Sequence, residues 1–227
     1  FPMTLQEAIA ARHSVRRYVK QSLPLQITQR LAEEIEHCNE KSGLHIQAVW
    51  NEPKAFSGLA AHYGKFEGVE NYLALIGPKG PELEEQAGYW GEHLVLLAQT
   101  LGLNTCWVAG TFSKGAARSA ITVGPGEKLV CVIALGYGAV QGVPHRSKPL
   151  EALCRCPAPM PGWFRSGMEA ALLAPTAINQ QRFRIALSGG GAQAKALWGP
   201  YSNIDLGIVK YHFEAGAGRG PEVWQAE

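Results

Sequence analysis

The 227-residue sequence lacks long apolar runs and an excess of charge of either sign. Its longest apolar stretches, at 94–98 and 130–135, are far shorter than the ~18 residues that a membrane span requires. The chain has 21 Lys and Arg against 19 Asp and Glu, a net charge of +2 at pH 7, so no block of charge suits nucleic acid or an acidic membrane surface. The N-terminus also lacks the basic-then-apolar layout of a secretory signal. We therefore expect a cytoplasmic protein with no nucleic-acid and no membrane partner.

Cysteine is scarce and odd in number, at five residues. Cys106 and Cys131 lie in apolar stretches, which favours reduced thiols over a disulfide framework. Cys154 and Cys156 are separated by one residue, whereas redox and zinc motifs use a spacing of two. We expect neither disulfides nor a metal site.

Familiar catalytic motifs are absent as well. The sequence contains no GxSxG elbow, no HExxH and no P-loop. The GYG at 136–138 follows a predicted strand but lacks the third glycine of a dinucleotide-binding turn. The seven histidines have no paired acid or cysteine that would form a nucleophile constellation. We therefore expect no catalytic side chain of these classes.

Hydrophobic periodicity predicts helices interleaved with strands, which indicates an α+β or α/β protein. A capping box formed by Thr4 and Glu7 predicts a helix to about residue 13. The helix at 84–101 is apolar nearly all round and is expected at the centre of the fold, and the all-apolar strand at 129–135 is expected inside a sheet. Further helices are predicted at 28–40, 113–120, 164–173 and 204–215, and further strands at 45–50, 72–76 and 183–187.

Several connecting features are predicted in the C-terminal third. Residues 150–161 form a proline-containing connector, and 188–193 form a turn. Asn203 is expected to cap the last helix, and a short strand is expected around Val223.

Residues 12–18, with the sequence RHSVRRY, form the first segment of chemical interest. If this segment is extended, Arg12, Ser14 and Arg16 point to one side. Two guanidinium groups and a hydroxyl on one face suit a phosphate or carboxylate, because guanidinium binds such anions through paired hydrogen bonds. A solvated basic helix end is the alternative interpretation.

Two further segments have candidate binding residues. Residues 174–181, APTAINQQ, place small and amide side chains where a flat heteroaromatic ring could be contacted, although a plain helix-to-strand loop has the same composition. Residues 102–110, 136–138 and 145–149 combine a glycine turn, a strand end and a basic loop, which are also explained by a helix C-cap and a surface loop.

Taken together and in this order, these segments resemble the nitroreductase family of FMN-dependent oxidoreductases. Residues 12–18 resemble its opening RxSxRxF/Y signature, and 92–110 resemble its central helix leading into a GLGT strand turn. Residues 136–138 with Arg146 and Lys148 resemble its G-Y-P strand end and phosphate contacts. Residues 174–181 resemble its A-P-S-x-x-N-x-Q segment.

The position of the last segment is similar to a smaller subgroup, the putative nitroreductases of the Thermotoga type. In ordinary members this segment follows the first signature by a few tens of residues, whereas here it comes after residue 170. In the subgroup, one chain imitates the family's dimer. The resemblance implies an α+β, nitroreductase-like fold with a mixed central β-sheet flanked by helices. It also implies one domain at 3–215, with pseudo-repeated halves at about 3–150 and 160–215, and a tail at 216–227.

The resemblance also implies the residues of a flavin site. The first signature, with His13 inside it, would hold the phosphate, ribityl and pyrimidine edge of FMN, and the second half of the chain would line the isoalloxazine. Thr176 replaces the usual Ser, and Arg182 and Phe183 stand where Pro-Trp is usual, which affects substrate preference more than fold. The implied cofactor-binding residues are Arg12, His13, Ser14, Arg16, Ala109, Gly110, Arg146, Lys148, Pro175, Thr176 and Asn179.

By this resemblance, the protein would use FMN, with NADH or NADPH as electron donor, to reduce a nitroaromatic, quinone or similar small-molecule acceptor. Two alternatives share the same sequence features: a flavin-binding or sequestering protein without turnover, and a degenerate, non-catalytic module. A monomer and a homodimer are both compatible with the sequence.

Overall fold

Helices and strands alternate along residues 2–225, which are the residues that this computed structural model describes. In chain order the elements are α1 (Leu5–Ala11), α2 (Leu25–Ser42), β1 (Gln47–Val49), α3 (Leu59–Tyr63), β2 (Asn71–Pro78), α4 (Leu83–Thr100), β3 (Asn104–Val108), α5 (Lys114–Ala120), β4 (Glu127–Gly136), α6 (Leu150–Leu153), β5 (Cys154–Arg155), α7 (Gly162–Leu172), β6 (Phe183–Ser188), β7 (Gly191–Ala196) and α8 (Ser202–Ala217). Short 3-10 turns lie at Lys54–Phe56, Ala177–Asn179 and Pro221–Val223.

The strands divide between two sheets. The larger sheet has the order β1-β2-β4-β3 and is antiparallel throughout, so the all-apolar β4 lies inside it as predicted. The smaller sheet has the order β5-β6-β7, with β5 parallel to β6 and β6 antiparallel to β7. The α+β class is confirmed, although the larger sheet is antiparallel where the resemblance implies a mixed central sheet, and a second, smaller sheet is present.

Helix α4 lies at the centre of the fold, as its continuous apolar surface predicts. Leu94, Val95 and Leu96 are all fully buried although they point in different directions around the helix axis. One side of α4 packs on the larger sheet, and the other packs along α8. This central pair of helices joins the N-terminal and C-terminal parts of the chain.

The N-terminal segment connects α1 to the larger sheet. The predicted capping box is confirmed: Thr4 Oγ1 accepts a hydrogen bond from the Glu7 amide at 3.2 Å, and the Thr4 amide donates to Glu7 Oε2 at 2.7 Å. After α1 ends at Ala11, the chain becomes extended and runs beside β3, where the Val15 amide donates to the Thr105 carbonyl at 3.0 Å.

Three predictions for the C-terminal third are wrong in detail. The turn predicted at 188–193 is shorter, because Gly189 and Gly190 both adopt positive φ and allow β7 to begin at Gly191. Asn203 lies inside α8 rather than at its cap, because Tyr201 occupies the N-cap position in the left-handed region. Around Val223 the chain forms a 3-10 turn with Pro221 at its start, and the predicted strand is reduced to a single parallel bridge between Trp224 and Ala192.

Other predictions are refined. The connector predicted at 150–161 contains α6 and β5. All five cysteines are free in the structure, and the reduced state of their thiols stays a prediction. Residues 226 and 227 of the predicted tail lie outside the described part of the chain. None of the helices within residues 2–225 is both long enough and apolar enough to cross a bilayer.

Candidate functional site

Two adjoining cavities lie between the N-terminal extended segment, the end of β3 and the loop after α7. Their volumes are about 410 Å³ and about 300 Å³. Each volume is in the range of about 300–1,000 Å³ that is usual for small-molecule sites. The cavities share a wall formed by Ser14, Arg16, Pro175, Thr176 and Ile178. Both the N-terminal and the C-terminal parts of the chain are therefore needed to form this site.

The larger cavity is mainly apolar and follows the end of β3. Phe66, Trp107 and Val108 form one side of it, and Ile204 and Ile208 of α8 form another. The predicted site residues Ala109 and Gly110 lie in its lining directly after β3. A flat apolar ring would be desolvated by these side chains.

The smaller cavity is basic. Arg12, Ser14 and Arg16 all line it, as the alternation of an extended segment predicts, whereas Val15 between them is buried in the core. His13 and the predicted site residue Asn179 line it as well. Burial lowers the pKa of His13, and the positive charge of Arg12 beside it acts in the same direction. This cavity suits an anionic group.

Arg12 connects the smaller cavity to a buried cluster around Glu92. Glu92 is fully buried, and its carboxylate accepts hydrogen bonds from Trp107 Nε1 at 2.9 Å and from His212 Nε2 at 2.7 Å. Arg12 Nε lies 4.0 Å from Glu92 Oε1. Burial lowers the pKa of Arg12, and the charge of Glu92 opposes that shift. The cluster therefore holds a guanidinium group, itself 4% exposed, at the wall of the cavity.

Arg12 Nε is a buried donor without a hydrogen-bond partner among residues 2–225. An unpaired buried donor on a charged group is costly, and an anion in the smaller cavity would supply the acceptor. The unpaired donor is thus an observation that fits the binding of a phosphate beside Arg12 and Arg16.

The loop after α7 is held in an unusual conformation. Ile178, Asn179 and Gln181 all have positive φ, at 48°, 54° and 47°, which is rare for residues other than glycine. The backbone amide of Gln181 donates to Thr176 Oγ1 at 3.0 Å. This geometry presents Thr176 and the exposed Ile178 to both cavities.

Asp205 in the first turn of α8 anchors the same loop. Its Oδ1 accepts from the Ala177 amide at 2.9 Å, and its Oδ2 accepts from Gln180 Nε2 at 2.7 Å. Asp205 lines the larger cavity, and burial raises the pKa of its carboxyl to about 6 despite these hydrogen bonds. Asp205 is therefore a loop anchor with a perturbed pKa at the cavity wall.

Arg146 and Lys148 lie beside the loop and do not line either cavity. The Arg146 carbonyl accepts from Asn179 Nδ2 at 3.0 Å, and Lys148 Nζ donates to the Gln180 carbonyl at 2.9 Å. In this arrangement both residues support the loop. Their predicted contacts to a phosphate stay a prediction.

The sequence interpretation missed several residues of the site. Asp205 is a carboxylate within the apolar stretch 204–209, and that isolated charge was a signal that could have identified it. Phe66 and Tyr201 carry no comparable signal, because their place in the cavity lining depends on the tertiary fold.

Comparisons with known proteins agree with this fold. The family model described as "Putative TM nitroreductase" matches residues 4–217. The crystal structure of a "putative nitroreductase" from Thermotoga maritima superposes with a TM-score of 0.68 at 21% identity, covering 95% of this chain and 84% of that one. No curated protein sequence matches the chain.

Smaller neighbours cover about two thirds of the chain. A "putative nitroreductase" in complex with FMN from Desulfovibrio desulfuricans has a TM-score of 0.52 and 21% identity, covering 66% of this chain and 94% of that one. Another FMN complex, from Exiguobacterium sibiricum, has a TM-score of 0.53 and 13% identity, covering 66% and 95%. The predicted nitroreductase-like fold is confirmed, and the chain belongs to the nitroreductase family of this Thermotoga type.

Proposed function

We propose that this protein is an FMN-dependent oxidoreductase that takes electrons from NADH or NADPH and transfers them to a nitroaromatic, quinone or similar acceptor. Family membership and the FMN complexes of two structural neighbours support this proposal. The observation that carries it is the pairing of an apolar cavity with a basic one across the shared wall of Ser14, Arg16, Pro175 and Thr176. FMN likewise has two parts: a flat ring system, which suits the apolar cavity, and a phosphate, which suits the basic one.

The residues present fit this cofactor. Arg12 Nε supplies an unpaired buried donor for the phosphate, and Arg16 lines both cavities. The apolar side chains of the larger cavity would exclude water from the ring system. Thr176 and the neighbouring loop would orient the ring from the side of the C-terminal segment.

When bound, FMN supplies the two-electron redox chemistry, so the chain needs no nucleophile of its own. Arg12 and Arg16 contribute positive charge, which stabilises negative charge on the cofactor. Asp205 keeps the loop in place through its two hydrogen bonds. The chain's contribution is thus binding, orientation, charge stabilisation and exclusion of water.

The test is an absorbance spectrum of the purified protein before and after addition of FMN, followed by an assay of NADH or NADPH oxidation with a nitroaromatic or a quinone. Bound flavin together with acceptor-dependent oxidation supports the proposal. Bound flavin without oxidation of either nucleotide would show a flavin-binding protein without turnover. A protein that rejects FMN would leave only the degenerate module and overturn the proposal.

A further inference from the structure

A second group of chemically suited side chains lies at the interface of α2 and α4, outside the lining of both cavities. Glu34 and Cys38 are four residues apart on α2 and therefore share one face of that helix. His93 of α4 faces them. One ligand atom from each residue, a carboxylate oxygen, the Cys38 sulfur and a ring nitrogen, lies within 4.8 Å of the other two.

The ring of His93 is fixed from both sides. Its Nε2 lies 2.6 Å from Glu34 Oε1, and its Nδ1 lies 2.7 Å from the Tyr211 hydroxyl on α8. The second carboxylate oxygen of Glu34 accepts from Arg30 Nη1 at 2.8 Å. Metal-ligating histidines in proteins are oriented by such a partner on the second nitrogen, and ligating carboxylates are themselves hydrogen-bonded.

We propose that Glu34, Cys38 and His93 form a binding site for a thiophilic divalent cation, with Zn²⁺ as the best match. Sulfur, imidazole nitrogen and carboxylate oxygen are the three ligand types that zinc takes in proteins. The side chains of Glu34 and His93 are 16% and 26% exposed, so water can reach this edge of the cluster and could supply a fourth ligand. The bound cation would link α2 to α4.

The charges and protons of this site balance. Burial raises the pKa of the Cys38 thiol to about 12, so without a cation the thiol keeps its proton. Binding of Zn²⁺ forms a metal–sulfur bond, and the thiol proton passes to solvent. The thiolate and the Glu34 carboxylate then neutralise the two positive charges.

The pair formed by His93 and Glu34 requires only a small adjustment on binding. Metal–ligand distances of about 2.0–2.2 Å in a tetrahedral site place nitrogen and oxygen about 3.3 Å apart, so His93 Nε2 and Glu34 Oε1 separate by less than about 1 Å. The Nε2 lone pair then faces the cation. The ring proton moves to Nδ1, where the Tyr211 oxygen accepts it.

Titration of the protein, without a histidine tag, with Co²⁺ tests this proposal. A difference spectrum against the protein before addition removes any absorbance already present. We expect a cobalt–thiolate charge-transfer band in the near ultraviolet that saturates at one equivalent and is abolished by one equivalent of Zn²⁺. Cys38→Ser should lose this band, and Cys154→Ser, a change at a cysteine in β5, should retain it.

Glu34→Gln and His93→Gln provide a second set of variants, which carries the test if Cys38→Ser does not fold. Each should weaken Co²⁺ binding at least tenfold. At a free Zn²⁺ concentration ten times the Kd, the Tm of the unaltered protein should rise by about 3–6 °C. An unaltered protein without the charge-transfer band, or a band that persists in Cys38→Ser, would overturn the proposal.

Discussion

Gly88 of α4 and Gly207 of α8 each face a backbone carbonyl of the opposite helix at the same distance. A Cβ atom on Gly88 would lie 2.0 Å from the Ile204 oxygen, and one on Gly207 would lie 2.0 Å from the Glu85 oxygen. Each carbonyl belongs to the residue three positions before the opposing glycine. The contact is therefore reciprocal, as it is between helices related by a two-fold axis. A two-fold pseudo-repeat would produce such a contact, and the repeat of the two halves itself stays a prediction.

Substitution of either glycine should push the two helices apart. We expect Gly88→Ala and Gly207→Ala each to lower the free energy of unfolding by about 2–3 kcal/mol or more, because a backbone carbonyl cannot rotate away as a side chain can. Urea unfolding followed by circular dichroism measures this. Gly115→Ala in α5 is the matched control, since its Cβ meets nothing within 4 Å, and it should stabilise slightly or have no effect.

Replacing the buried carboxylate of Glu92 by an amide should greatly lower the free energy of unfolding. Glu92→Gln keeps the size of the side chain but removes the charge opposite Arg12 and places an amide where two donors, Trp107 and His212, now bind. We expect a loss of about 3 kcal/mol in the free energy of unfolding. Glu82→Gln, at an exposed position with no side-chain capping bond, should stay within about 0.5 kcal/mol. Equal effects of the two changes in urea unfolding would contradict this assignment.

Asp205 predicts a specific dependence of stability on pH. Its pKa is about 6 in the folded protein against an ordinary value of 3.8, so between these values the folded state binds more protons than the unfolded state. Stability from this group therefore falls as the pH rises from about 4 to 6, by up to about 3 kcal/mol.

Comparison with Asp205→Asn isolates this contribution, because asparagine does not titrate. The free energy of unfolding of the unaltered protein minus that of the variant should decrease between pH 4 and pH 7. A difference that stays constant over this range would show that Asp205 has an ordinary pKa.

Arg16 and Arg17 offer a matched pair for the proposed flavin site. Both side chains are exposed, but Arg16 lines both cavities, whereas Arg17 lines neither and pairs with Glu67 at 3.3 Å. We expect Arg16→Ala to raise the Kd for FMN about tenfold or more, as for the loss of a charged hydrogen bond. Arg17→Ala should change it by less than about twofold. Quenching of FMN fluorescence on titration measures both, and equal weakening would contradict a specific contact to Arg16.

Local signals predicted much of this fold. The capping box of Thr4 and Glu7 depends only on residues close in sequence. The all-apolar run of β4 indicates a strand buried on both faces, without knowledge of which elements pack against it. The β6–β7 hairpin was missed because β7 alternates Gln193 and Lys195 only with alanines, which bury little apolar surface and are depleted in strands. In the folded chain, β7 becomes a strand through its antiparallel pairing with β6.

In the candidate site, too, some features follow from the local sequence and others depend on the tertiary fold. The alternation of Arg12, Ser14 and Arg16 is visible in seven consecutive residues, and it correctly placed all three in one cavity. The contacts of Glu92 with Trp107 and His212 join positions that are far apart in the chain, so no spacing rule could show them. The bonds from Asp205 to Ala177 and Gln180, on either side of Ile178, join residues more than twenty positions apart, so the sequence pattern of the loop alone could not show them.

Because Ser14 and Thr176 meet across one chain, assembly of the cavity walls is a unimolecular event. Dilution cannot separate those walls, since no subunit has to dissociate or reassociate. The capacity of the site to hold a ligand should therefore be independent of protein concentration. Because the described residues of one chain form both cavities, we expect the number of bound ligands to follow the number of chains.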